Sequence, residues 1–170
     1  MAKPSPTTYV SYFQRYIDQV PEEDLMTAFK NQTAGLEQFL SNISEEKSNE
    51  AYAAGKWTIK ELLQHVIDTE RIFNYRALCF ARSEQQNLPG FEEDDYAANS
   101  HANKRKWIDL INEFLTVRKG TEMLYGSFDA SVLDNGGKAN NNPSTVISIG
   151  FTTVGHYYHH KKILEERYLK

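Results

Sequence analysis

The sequence has a single cysteine, Cys79, so no disulfide can close within the chain and a disulfide-stapled scaffold is excluded. It has no run of ~18 consecutive apolar residues, which a membrane-spanning helix requires. Its first residues, Met1-Ala2-Lys3-Pro4-Ser5-Pro6, lack the apolar stretch of a secretory signal. Positive charge is in deficit as well: 19 Lys and Arg stand against 23 Asp and Glu, a net charge of -4. That leaves no basic footprint for neutralising phosphates, so neither a nucleic acid nor a membrane is expected as a partner. Internal repeats are absent, and no stretch reads convincingly as a strand. The expectation is a soluble, cytoplasmic protein.

What the chain does have is apolar and aromatic side chains in helical register. A length of 170 residues is that of one domain, and ten Tyr and nine Phe within an apolar content of 40% argue for a packed core over disorder. Residues 7–19 read as a short helix with Val10, Phe13 and Ile17 on one side, ended by Pro21. From Glu22 to about Asn42, Leu25, Met26, Phe29, Leu36, Phe39 and Leu40 keep helical spacing. Residues 44–55 are charged and small, and read as a loop. Thr58 and Glu61 form a capping-box pattern that starts a strong helix running through Phe80.

Residues 83–100 make a long polar connection containing the cluster Glu92 to Asp95. A third long helix is predicted from about Asn103 to Gly126. Residues 134–142 read as a loop, and Ser144 as the cap of a last helix over 145–168. Four long helices and a short N-terminal one define an all-α antiparallel bundle.

Chemistry concentrates in the last helix. His156 and His160 stand four apart, on one face and one turn from each other. A pair at this spacing is a common way for a helix to offer two imidazoles to zinc, nickel, copper or iron. Taken alone, it is more often two partly buried or surface histidines. Here Ile149, Thr152, Thr153, Ile163 and Leu164 share the face, so the imidazoles sit in an apolar stripe. Ile147, Phe151, Val154 and Tyr158 line the opposite side, which suggests a central helix or a subunit contact.

His65 lies on the second long helix, on a face shared with Glu61, Thr69, Ile72 and Arg76. If the two helices pack side by side, three imidazoles meet around one ion and leave a coordination position open. That is the catalytic kind of site, able to acidify solvent or a thiol.

The segment Lys56-Trp57-Thr58-Ile59-Lys60-Glu61-Leu62-Leu63-Gln64-His65-Val66, with Gly155-His156-Tyr157-Tyr158-His159-His160 near the end, resembles the DinB-like superfamily over nearly the whole chain. The resemblance implies an up-down-down-up four-helix bundle, commonly a homodimer. It also implies a divalent metal, zinc or nickel, on His65, His156 and His160. Members include S-transferases that use a low-molecular-weight thiol, thiol-dependent isomerases, and many proteins described only as metal-dependent hydrolases. The expected activity is therefore hydrolysis of a small-molecule substrate or transfer of a thiol to it; the rival reading is a non-catalytic stress-related or interaction protein, a dimeric helical bundle with a structural or vestigial metal site. Tyr157 follows His156, so there is no His-Glu-x-x-His and no adjacent glutamate base.

Other residues around this face carry two readings each. Glu61 is either an outer acceptor for an imidazole or simply the cap of its helix. Arg76, 11 residues and ~16 Å beyond His65, either binds an anionic substrate group or pairs with a carboxylate; Arg118 carries the same choice. Thr69 and Thr153 share the histidine faces. His159, on the flank, is a proton shuttle or a contact residue. Glu70 points away from His65 and reads as a buried structural acid or a surface residue, Cys79 as a plain buried thiol, His101 as exposed, and Glu92 to Asp95 as a solvated loop.

Overall fold

Thr58 accepts a hydrogen bond from the Glu61 N–H, and the Glu61 carboxylate accepts one from the Thr58 N–H. This reciprocal cap starts the longest helix. The computed structural model describes residues 1–170 and has seven α-helices: α1 Gln14–Ile17, α2 Leu25–Ser41, α3 Glu45–Ser48, α4 Ile59–Ala81, α5 Glu93–Asn99, α6 Trp107–Gly126 and α7 Val146–Ile163. A π-helical turn, Leu164–Tyr168, extends α7. The four long helices α2, α4, α6 and α7 form the bundle.

Side-chain bonds between helices fix their directions. Arg105, Arg71 and Asn74 reach Gln64, Glu113 and Thr121, so residue numbers on α4 and α6 rise together and the two helices run parallel. Along α2 they run opposite to α6: Gln32 bonds Arg118, whereas the Leu40 carbonyl accepts from the Trp107 indole. The α4–α7 pair is antiparallel, with His65 against His156 and the Trp57 carbonyl against the Tyr168 hydroxyl. Helix α2 runs alongside α7 in the same sense, Gln32 donating to the Val154 carbonyl and Phe39 lying near Lys161. The order is up-down-down-up.

A buried polar layer crosses the middle. Arg118 donates to both carboxylate oxygens of Glu70 at 2.8 Å and also to Gln32. Thr121 donates to Glu70 at 2.6 Å and accepts from Asn74. One apolar cluster lies toward Phe29, Phe80, Tyr125 and Phe151, the other toward Leu40, Leu63, Phe114 and Leu164. Burial alone pulls the Arg118 guanidinium down, but the Glu70 carboxylate more than offsets this and its pKa is raised.

Several sequence expectations are corrected. Residues 7–19 are not one helix but two 3-10 turns, Pro6–Thr8 and Ser11–Phe13, followed by the single turn α1. Tertiary packing overrides their periodicity, since this segment must wrap α7. Helix α2 begins at Leu25, with Asp24 as its cap, so Glu22 and Glu23 precede it. The 44–55 stretch contains α3, whose Glu45 takes the Trp107 N–H at 2.7 Å and also pairs with Lys60. That remote cap is why α6 starts at Trp107 and not near Asn103.

The connection 83–100 contains α5, so Glu93 to Asp95 form a helix's first turn, where the dipole favours them. Strands β1 Gly136–Ala139 and β2 Asn142–Thr145 make a hairpin where a loop was expected. Asn140 and Asn141, at φ 51° and 61°, supply the two left-handed positions of its turn. Thr145, not Ser144, caps α7, in a capping box with Ser148.

Candidate metal centre

Helix α4 and helix α7 bring three imidazoles together. His156 Nε2 lies 3.2 Å from His65 Nε2 and 3.0 Å from His160 Nε2, and the nitrogens that each ring can offer fall within 4.8 Å of one another. All three rings are buried. Burial holds the His65 pKa down to about 4, opposed by the nearby Asp94. His156 and His160 are driven well below the usual imidazole range, first by burial and then by neighbouring imidazoles. The rings are therefore neutral at physiological pH.

Each neutral ring has one proton. Placed on Nδ1, it leaves three Nε2 lone pairs facing one point, an arrangement that repels itself without a cation. Nitrogens bound to one ion at ~2.0–2.1 Å in tetrahedral directions stand roughly 3.3 Å apart, close to the separations of the His156 Nε2 from its two neighbours. The donor set fits a divalent transition metal. The His160 Nδ1 is buried without a partner, so no protein acceptor fixes its tautomer.

Aromatic rings hold the imidazoles in place. Tyr16 packs edge-on against His156 and His159, Phe73 against His156, and Trp57 lies 4.9 Å from His65. Tyr16 can come this close because residue 155 is glycine: a Cβ there would overlap the Tyr16 carbonyl. Sequence reasoning missed Tyr16, and its one available signal was that glycine inside a helix beside His156.

Two cavities border the cluster. His65 and His156 line one of about 390 Å³, walled by Phe13, Tyr16, Thr69, Phe73 and Arg76. Gly90, Phe91 and Glu93 from the long connection, with Asn140 and Asn142 from the hairpin, close its other side. Backbone bonds from Leu88 to Lys138 and from Asn140 to Leu88 tie those two loops together. His160 lines the second cavity, about 290 Å³, with Trp57, Asp94 and Arg167. Glu93 borders both.

Thr69 and Arg76 line the larger cavity. The Glu61 carboxylate is engaged at the cap, where it also accepts from Asn103, and not by an imidazole. Thr153 donates to the Ile149 carbonyl within its own helix. Arg118 is a core ion pair with Glu70 and does not line either cavity. His159 is half-buried beneath Tyr16, and Cys79 packs partly buried against the core. Residues 144–157 are all buried within the one chain, so the two-sided burial of α7 requires no second copy.

This combination, a four-helix bundle with a buried three-histidine cluster, defines a class, and comparison gives the family. Residues 28–164 match the DinB superfamily profile DinB_2, and the chain belongs to that superfamily. It is 24% identical over 107 residues to the "Putative metal-dependent hydrolase OB0413" of Oceanobacillus iheyensis, covering 56% of this chain and 62% of that one. The fold matches that of YfiT from Bacillus subtilis with a TM-score of 0.73 at 14% identity, over 96% of this chain and 91% of YfiT. YfiT is described as "a probable metal-dependent hydrolase with an unusual four-helix bundle topology". No helix of the chain is long and apolar enough to cross a membrane.

Proposed function

We propose that the protein is a metal-dependent hydrolase of a small molecule, with zinc or nickel held by His65, His156 and His160. The observation that carries this is the convergence of three buried, neutral imidazole nitrogens at the edge of a 390 Å³ cavity. The metal-dependent hydrolase names of the two relatives support it. The chemistry such an ion supplies when bound is Lewis acidity, which polarises a substrate oxygen and acidifies solvent toward neutral pH.

The chain's own residues do the rest. Burial keeps the imidazoles unprotonated, and Tyr16, Phe73 and Trp57 pack against the rings and restrict their rotation. Glu93, exposed in the first turn of α5, is the carboxylate that borders both cavities. The family resemblance adds a homodimer to this reading, to be tested by sedimentation.

The test is metal analysis followed by turnover on ester, amide and thiol-plus-electrophile panels, for wild type and His160→Ala. Metal-dependent hydrolysis lost in His160→Ala is the expected result. Turnover confined to the thiol panel would replace hydrolysis with S-transfer. A metal-loaded protein inactive on every panel would leave a non-catalytic bundle.

A further inference from the structure

Apart from the histidines, the buried cationic side chains are Lys60, Arg76 and Arg118. Lys60 pairs with Glu45 and Arg118 with Glu70. Arg76 has no carboxylate partner among the ion pairs of the structure, although only 7% of its surface is exposed. Its sole hydrogen bond goes to the Pro89 carbonyl at 2.8 Å, which leaves most of the five guanidinium donors free. The Arg76 side chain lines the cavity in a largely buried setting with no counterion, where an oxyanion would complete it. Burial lowers its pKa, with no carboxylate acting to raise it.

A second, independent observation points into the same space. Thr69 is 3% exposed, its hydroxyl has no hydrogen-bond partner, and it lines the cavity that His65 and Arg76 also line. His65, Thr69, Phe73 and Arg76 succeed one another along one face of α4, spanning ~16 Å of helix. The order along the cavity is imidazole, hydroxyl, aromatic ring, guanidinium.

We propose that Arg76 receives the anionic end, a carboxylate or phosphate, of a small molecule whose apolar or aromatic middle lies along Phe73 and whose reacting group reaches the three imidazoles. A guanidinium fork matches either oxyanion bidentately, and the surrounding apolar walls strengthen the pairing. Arg76 is thus the specificity determinant of the cavity, and Thr69 offers one further hydrogen bond on the way to the imidazoles. This assignment of substrate class rests on the proposed hydrolase reading for the position of the reacting group; the anion site itself does not.

The experiment is calorimetric titration of the metal-stripped full chain with three probes: 4-phenylbutanoate, benzylphosphonate and the neutral 4-phenylbutanamide. At least one anion is expected to bind wild type about tenfold or more tightly than the amide. Which anion wins distinguishes a carboxylate substrate from a phosphate one. Arg76→Gln should remove the preference, Arg76→Lys should keep part of it, and His160→Ala should leave it unchanged.

The wild-type comparison needs no variant, so a poorly folded Arg76→Gln cannot rescue the idea. Equal affinity for all three probes, no binding of either anion at millimolar concentration, a preference that survives in a folded Arg76→Gln, or one lost in His160→Ala alone would each overturn it. Failure of the wild type to take up zinc or nickel would instead defeat the hydrolase reading and leave the anion site standing.

Discussion

Arg118 on α6 and Glu70 on α4 face each other fork to fork in the middle of the bundle, both N···O contacts at 2.8 Å, with 0% and 2% of their side chains exposed. Removing Glu70 strands the Arg118 charge among Phe29, Phe114 and Tyr157, and removing Arg118 leaves a buried carboxylate without its counterion. Glu70→Leu or Arg118→Met alone should cost about 3–5 kcal/mol in urea unfolding, and the double variant should recover most of that loss. A double variant no better than the worse single one would show that Gln32 and Thr121, not the ion pair, carry the layer.

Substituting the histidines should act on metal uptake more than on the fold. For His65→Ala, His156→Ala and His160→Ala we expect zinc or nickel affinity to fall by more than about 100-fold, beyond the usual range for outer-shell changes. Wild type should gain thermal stability on metal addition and each variant should not. Competition with a chromogenic chelator measures the first, and calorimetry the second.

The metal-free protein should lose stability in acid earlier than its carboxylates require. His65 has its pKa lowered to about 4 by burial, and His156 and His160 are lower than usual for the same reason. The unfolded chain takes up protons below about pH 6.5 that the folded chain refuses. Stability is therefore complete above that pH and declines as pH falls toward 4, by about 1.4 kcal/mol per unit for each histidine still neutral in the fold. Bound metal should shift the decline to lower pH. A flat urea midpoint between pH 7 and 5 in metal-free protein would contradict the burial of these rings.

Gly155 lets the N-terminal segment lie against α7. Gly155→Ala should force α1 outward and cost about 1–3 kcal/mol, as overpacking does. Tyr16 would then leave His156 and His159, and proteolysis of residues 1–20 should accelerate. Unchanged stability and proteolysis would mean that α1 adjusts freely.

Thr58→Ala removes one half of the cap that starts α4. The expected cost is about 1 kcal/mol by denaturant titration, with metal affinity less affected than by any histidine substitution.

Much of the bundle and of the histidine cluster was legible because both rest on helical spacing. His156 and His160 are one turn apart on a stripe also bearing Ile149, Ile163 and Leu164, and Thr58 with Glu61 announced the helix that carries His65. What stayed hidden depends on long-range contacts. Glu45 caps α6 from 62 positions away, Asn140 and Asn141 enter left-handed conformations because β1 and β2 pair, and Tyr16 reaches His156 through a gap that only glycine leaves. Arg76 was visible on the His65 face, but the absence of a carboxylate beside it is a property of three dimensions.

His65 and His156, whose Nε2 atoms face each other, are 91 positions apart in the chain. During synthesis the α4 imidazole emerges long before the α7 pair, and a lone ring holds transition metals weakly. Tight capture must wait until the final helix has docked, so the ion would act as a late latch on an assembled bundle, not as a nucleus for building it.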